Sequence, residues 1–201
     1  LVGAKVILEL GTTKILRTRY DSTPELYQSI SDKLRDITSQ SNKVPWFILN
    51  GSCSFHNVED EGRQLYKWEE LKDLVVFLKD VMREYLDSVS IKEEDAAVAG
   101  MWANRYPPGT FVARHNHNHL KKEEHIVIGV LYYIRKDDNA GSLYIDIPEY
   151  GEYNVNMNEG DVVVFQSSLD HWTVPNNSNT DKYVIGMELV VGEKGMTINE
   201  I

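Results

Sequence analysis

Four of the six histidines of this 201-residue chain fall in one stretch, RHNHNHLKKEEH, from Arg114 to His125. His115, His117 and His119 take alternate positions in it. Along an extended strand, residues i and i+2 point to the same side, so His115 and His117 aim two imidazoles one way from a rigid element. Neutral imidazole nitrogens are good ligands for divalent transition metals, so the chemistry on offer is metal binding. The plainer alternative is a solvated polar face. His119 shares the parity, but one strand does not easily converge three successive side chains on one ion, and it is assigned to the site entrance. A metal centre here needs a ligand from elsewhere in the chain. EGDVVVFQSSLDHWTVPN, from Glu159 to Asn176, has a tight Gly-Asp turn, a β-branched run and a polar turn, with His171 at the head of the next strand. Delivered by a neighbouring strand, His171 is the third candidate ligand.

The elements that must position these residues divide the chain. Ser22 to Glu25, STPE, is a capping-box pattern with Pro allowed in the first turn. Leu26, Ile30, Leu34 and Ile37 then make one apolar stripe. Leu71, Leu74, Val75, Leu78, Met82 and Tyr85 make another, on a helix expected from about Lys67 to Ser88. From Ala96 onward, short runs rich in Val, Ile, Tyr and Phe alternate with turn clusters: PPG, KDDNAG, NEGD and NNSNTD. That rhythm belongs to a β-sandwich or barrel. The expectation is a single α+β domain over 1–201, with about residues 1–95 as mainly helical support and about 96–201 as the jelly-roll core. Trp102 and Asn104 share parity and are candidates to line its pocket.

Composition narrows the function. A formal charge of −10 repels a polyphosphate backbone, and the basic stretches are short, which argues against nucleic acid. No run of roughly 18 apolar residues exists to span a membrane. LVGAKVILEL at the start is read as structure and not as a secretory leader. One cysteine, Cys53, allows no internal disulfide and no thiolate cluster, which favours a reducing, cytoplasmic setting. Cys53 itself is expected as a buried apolar residue.

In order along the chain, WANRYPPGTFVARHNHN, IGVLYYIRKDDNAGSLYI, EGDVVVFQSSLDHWTVPN and DKYVIGMEL resemble elements of the iron(II)- and 2-oxoglutarate-dependent oxygenases. Within them the chain looks most like an oxygenase family of bacterial and phage chains related to prolyl-4-hydroxylase-like enzymes. The matching set covers about Met101 to Val190, nearly half the chain. The resemblance implies a double-stranded β-helix, a hydroxylase coupling 2-oxoglutarate decarboxylation to oxidation of a C–H bond, and dioxygen with a small-molecule or peptide substrate. It implies iron held by His115, His117 and His171. It places Lys182, eleven residues beyond His171, where relatives pair an Arg or Lys with the far carboxylate of 2-oxoglutarate. Tyr106 lies near a position where relatives use a tyrosine for the same carboxylate. The departure is His117, which stands where the superfamily usually has Asp or Glu. Glu123 or Glu124 is the nearby carboxylate that would complete the usual set.

Two rivals share the barrel. Gly109 to His117 and Gly160 to His171 also resemble the two metal motifs of cupins, which need no 2-oxoglutarate. Gln166 and Ser168, where cupins prefer Pro and Gly, count against that reading. The other rival is a catalytically silent jelly-roll binding module. Edge strands of such sandwiches often pair between copies, so a homodimer is a further expectation.

Overall fold

The computed structural model describes residues 3–39, 45–54, 64–118 and 126–201. The first strands form a hairpin, β1 (Val6–Leu10) and β2 (Thr13–Arg19), turning at Gly11, whose φ of 63° suits glycine. Helix α1 (Pro24–Ser39), the short strands β3 (Ile48–Leu49) and β4 (Ser52–Cys53), and helix α2 (Lys72–Ser88) follow. Then come β5 (Ala96–Tyr106), β6 (Phe111–Val112), β7 (Ile126–Arg135) and β8 (Leu143–Ile147). The last strands are β9 (Gly151–Asn154), β10 (Asp161–Gln166), β11 (His171–Thr173) and β12 (Lys182–Val191).

Seven strands form the major sheet in the order β1-β2-β10-β7-β12-β5-β4, with antiparallel neighbours throughout. The opposing layer consists of β11-β8-β9 and the β3-β6 pair. Past β6, a bridge between His115 and His171 joins these two pieces. The architecture is an α+β double-stranded β-helix, as expected.

Alternation on the pleat explains why the major sheet is buried on both faces. Tyr183, Ile185, Met187 and Leu189 of β12 pack with Leu34 of α1 and with Leu74, Leu78 and Met82 of α2. On the other face Val184, Trp102, Tyr133 and Phe165 meet Leu143, Ile145 and Ile147 of the opposing layer. Helices thus seal one side, and the second sheet leaves a cavity on the other. The Tyr85 hydroxyl donates to the Lys14 carbonyl at 3.1 Å and ties α2 to the hairpin.

Two details differ from the sequence reading. Val6–Leu10 and Thr13–Arg19 are strands of the major sheet, not helical support. Helix α2 begins at Lys72 and not near Lys67, because Trp68 takes extended backbone (ψ 127°) and separates short 3-10 turns at Leu65–Lys67 and Glu69–Leu71. The apolar stripe of α1 buries Ile30 and Leu34 as expected, while the Leu26 side chain lies outside the described set. His56, His119, Glu123, Glu124 and His125 also lie outside the described residues. Among the described residues no helix is long and apolar enough to cross a membrane.

Candidate metal centre and its cavity

His115, His117 and His171 meet. One ring nitrogen from each lies within 4.8 Å of the others, and the ring centroids stand 4.3–5.2 Å apart. A facial set of nitrogens about 2.1 Å from an ion has its members about 3 Å apart, so the three rings must draw closer to share one ion. The regular strand β6 ends at Val112, before the histidines, so the HxH does not sit on a regular strand. Its extended backbone is held by other partners. Ala113 N–H donates to Phe47 O at 2.7 Å, His115 and His171 exchange backbone bonds of 3.1 and 2.8 Å, and His117 N–H donates to Ser167 O at 2.9 Å.

The intervening residues explain why the imidazoles face inward. Arg114 and Asn116, of the opposite parity, both bind Asp170: Arg114 Nε donates at 3.0 Å and Asn116 Nδ2 at 2.7 Å. Arg114 also pairs with Asp146 and lies 4.8 Å over the Trp172 ring. Hydrogen bonds from Asn116 and then Arg114 hold the Asp170 carboxyl below its ordinary range. This polar clamp beside His171 fixes both histidine segments against one another.

Ring orientation is set as well. Nδ1 of His115 lies 2.9 Å from Ala113 O, and Nδ1 of His171 lies 2.9 Å from Leu169 O. A carbonyl accepts, so each Nδ1 carries the proton and each Nε2 keeps its lone pair for an ion. His117 Nδ1 is hydrogen-bonded to the carboxylate of Glu188. Phe47 stacks on His115 with centroids 3.7 Å apart and planes 10° apart, and Phe165 meets His171 edge-on at 5.2 Å. Burial, and then the charge of neighbouring His115, pushes the His171 pKa down to about 3, which keeps this imidazole in the neutral form that ligates.

The histidines open onto a cavity of about 170 Å³ between the two sheets. Its far wall is laid out by the register of β12 against β5, where Lys182 stands opposite Tyr106, Val184 opposite Asn104 and Gly186 opposite Trp102. Lys182 is 1% exposed, with its ammonium nitrogen 4.9 Å from the centre of the Tyr106 ring. Among the described residues no carboxylate pairs with it. Burial, and then nearby Lys136, pushes its pKa down to about 7. Tyr106 is buried too, which raises its hydroxyl pKa well above the ordinary value. Asn104 is buried, lines the cavity, and its Oδ1 has no hydrogen-bond partner among the described residues.

All five residues singled out from the sequence as ligands or carboxylate partners therefore border one cavity. Glu188 and Phe47 were missed. Nothing in their local sequence marks them, because each becomes adjacent to a histidine only when distant strands are stacked. Cys53 is buried, as expected, and contributes to the cavity wall.

No protein-family model matches the chain, and no curated protein matches it in sequence. Solved structures share its fold. A prolyl-4-hydroxylase of Pseudomonas putida superposes with a TM-score of 0.65 at 13% identity, over 92% of this chain and 96% of that one. HygX of Streptomyces hygroscopicus, solved with nickel, 2-oxoglutarate and hygromycin B, gives 0.63 at 11% identity, over 92% and 85%. A prolyl hydroxylase of Trichoplax adhaerens, in complex with a hypoxia-inducible-factor peptide fragment, gives 0.58 at 13% identity, over 89% and 83%. The fold is thus the double-stranded β-helix seen in 2-oxoglutarate–iron(II) oxygenases. The arrangement in this chain is a three-histidine cluster facing a buried lysine.

Proposed function

We propose that the protein is an iron(II)- and 2-oxoglutarate-dependent oxygenase that hydroxylates a C–H bond of a small-molecule or peptide substrate. The carrying observation is the pairing of two features across one cavity: three convergent imidazoles and, opposite them, a buried lysine with no carboxylate partner among the described residues. An unpartnered buried cation is costly, and it is intelligible where an anionic ligand completes it.

In this reading His115, His117 and His171 hold the metal, and three protein ligands leave positions open for a chelating cosubstrate and dioxygen. The bound metal and cosubstrate supply the oxidising chemistry, with decarboxylation of 2-oxoglutarate as its driving partner. The protein's own residues do the rest. Lys182 takes the far carboxylate in a charge-assisted bond worth roughly 1.5–3 kcal/mol. Tyr106 packs against the lysine and keeps water from it. Asn104 offers an acceptor within the cavity, and Phe47 fixes the plane of His115. Cys53, buried and in no disulfide, accords with a cytoplasmic setting.

Thermal unfolding tests the reading. Iron(II) or nickel(II) under anaerobic conditions should raise the melting temperature, and 2-oxoglutarate should add a further increment only with metal present. Succinate release across substrate pools then reports turnover. A metal-dependent rise with no 2-oxoglutarate increment overturns the proposal in favour of a cupin-type enzyme. No rise with any divalent metal leaves a non-catalytic module.

A further inference from the structure

Glu188 is 3% exposed and lies on β12 in phase with Lys182 and Val184, on the cavity face. Its neighbours across the two adjacent ladders are both glycines, Gly100 on β5 and Gly129 on β7. Glycines inside strands give up side-chain packing and commonly mark a place where another group approaches closely. Over Gly129 that group is Ser167, whose Cβ an added β-carbon would meet at 3.2 Å, and the Glu188 carboxylate itself meets Nδ1 of the His117 ring. A carboxylate so deeply buried needs a donor, and the imidazole N–H supplies one.

We infer that Glu188 supplies, one bond removed from the metal, the negative charge that a ligand carboxylate would otherwise bring. It accepts a hydrogen bond from His117 Nδ1–H, turns Nε2 toward the ion, and makes His117 and Glu188 together a single anionic ligand unit. This inference rests on the metal centre and cosubstrate proposed above. A set of two histidines and one carboxylate, a divalent ion, a dianionic chelator and one lysine ammonium has no net charge. Three imidazoles in place of that set leave one positive charge in a cavity walled mainly by apolar groups, and Glu188 cancels it. Glu188 is thus a positioning residue: it acts through His117 and touches neither metal nor substrate.

The test compares nickel(II) and cobalt(II) affinity, by competition with a chromogenic chelator, in the wild type, Glu188→Gln, His117→Asp and the double variant. Glutamine keeps the volume and an acceptor oxygen and removes the charge. Removal of such an outer partner typically weakens metal binding roughly 10–100-fold, which is the loss expected for Glu188→Gln. His117→Asp alone should also bind weakly, because its carboxylate faces that of Glu188. His117→Asp with Glu188→Gln should return to within a few-fold of wild type, since the charge has moved into the ligand set. The cobalt(II) visible spectrum should shift in Glu188→Gln and change again when the aspartate ligates. Wild-type affinity in Glu188→Gln overturns the inference while leaving the metal centre standing. A double variant weaker than both single ones, with losses that multiply, overturns it too. A wild type that binds neither ion removes the metal centre and this inference together. Should His117→Asp fail to fold, the affinity and spectrum of Glu188→Gln alone decide.

Discussion

Replacing Lys182 with methionine tests whether the cavity holds a cation at the expense of the empty protein's stability. Lys182 is 1% exposed, and its pKa is held at about 7 in the folded chain, against an ordinary value of 10.5. Between those two values the unfolded chain binds the proton and the folded chain does not, so stability rises with pH across that window and is flat below it. At 1.36 kcal/mol per pH unit the burden is on the order of 4 kcal/mol at pH 7 and below about 1 kcal/mol at pH 10. Methionine is one side-chain atom shorter than lysine, keeps an unbranched apolar stem to pack on Tyr106 and carries no charge. Urea unfolding followed by tryptophan fluorescence at several pH values gives the difference between variant and wild type. Lys182→Met is expected to be the more stable protein at pH 7, with an advantage that shrinks steadily towards pH 10. In the same variant, the melting increment from 2-oxoglutarate with nickel(II) should vanish. A difference that does not change with pH between 7 and 10, or a variant less stable than wild type at pH 7, refutes the argument that an unpaired charge is buried here.

Other consequences concern the cavity walls and the ligands. A β-carbon on Gly186 would stand 2.9 Å from Cε2 of Trp102, so Gly186→Ala should cost about 1–3 kcal/mol in urea unfolding and shift Trp102 fluorescence as the indole is displaced. Asn104→Leu removes a buried acceptor that lacks a partner among the described residues; it should raise the stability of the metal-free protein by about 1–3 kcal/mol while reducing the 2-oxoglutarate increment. Nickel(II) at 100 times its Kd should stabilise the wild type by about 2.7 kcal/mol, and His171→Ala should abolish that gain, as read from melting curves with and without a chelator.

Much of the site was legible in the sequence because its signals are local. The i, i+2 spacing of His115 and His117 places two rings on one side whether or not the strand is regular, and Arg114 and Asn116 take the other side by the same parity. The turn ahead of His171 and the β-branched run before it marked a neighbouring strand. Apolar periodicity found α1 and α2, although extended backbone at Trp68 moved the start of the second. The opening hairpin is unmarked in the sequence because β1 buries no residue fully and β2 buries the consecutive pair Ile15 and Leu16, so neither strand alternates cleanly.

What the amino-acid sequence determined by itself was the set of elements and the parity of their side chains. Alternation along KYVIGMELVV puts Lys182, Val184, Gly186 and Glu188 on one face whatever lies beside them. Which groups stand beside them is decided by strand register and by the packing of one sheet on the other. Tertiary structure alone set Lys182 against Tyr106, and brought Glu188 to His117 and Phe47 to His115. Those partners are 71 and 68 residues apart along the chain, and no local pattern encodes a contact over that distance. It exists only because burying both faces of the major sheet fixes one register.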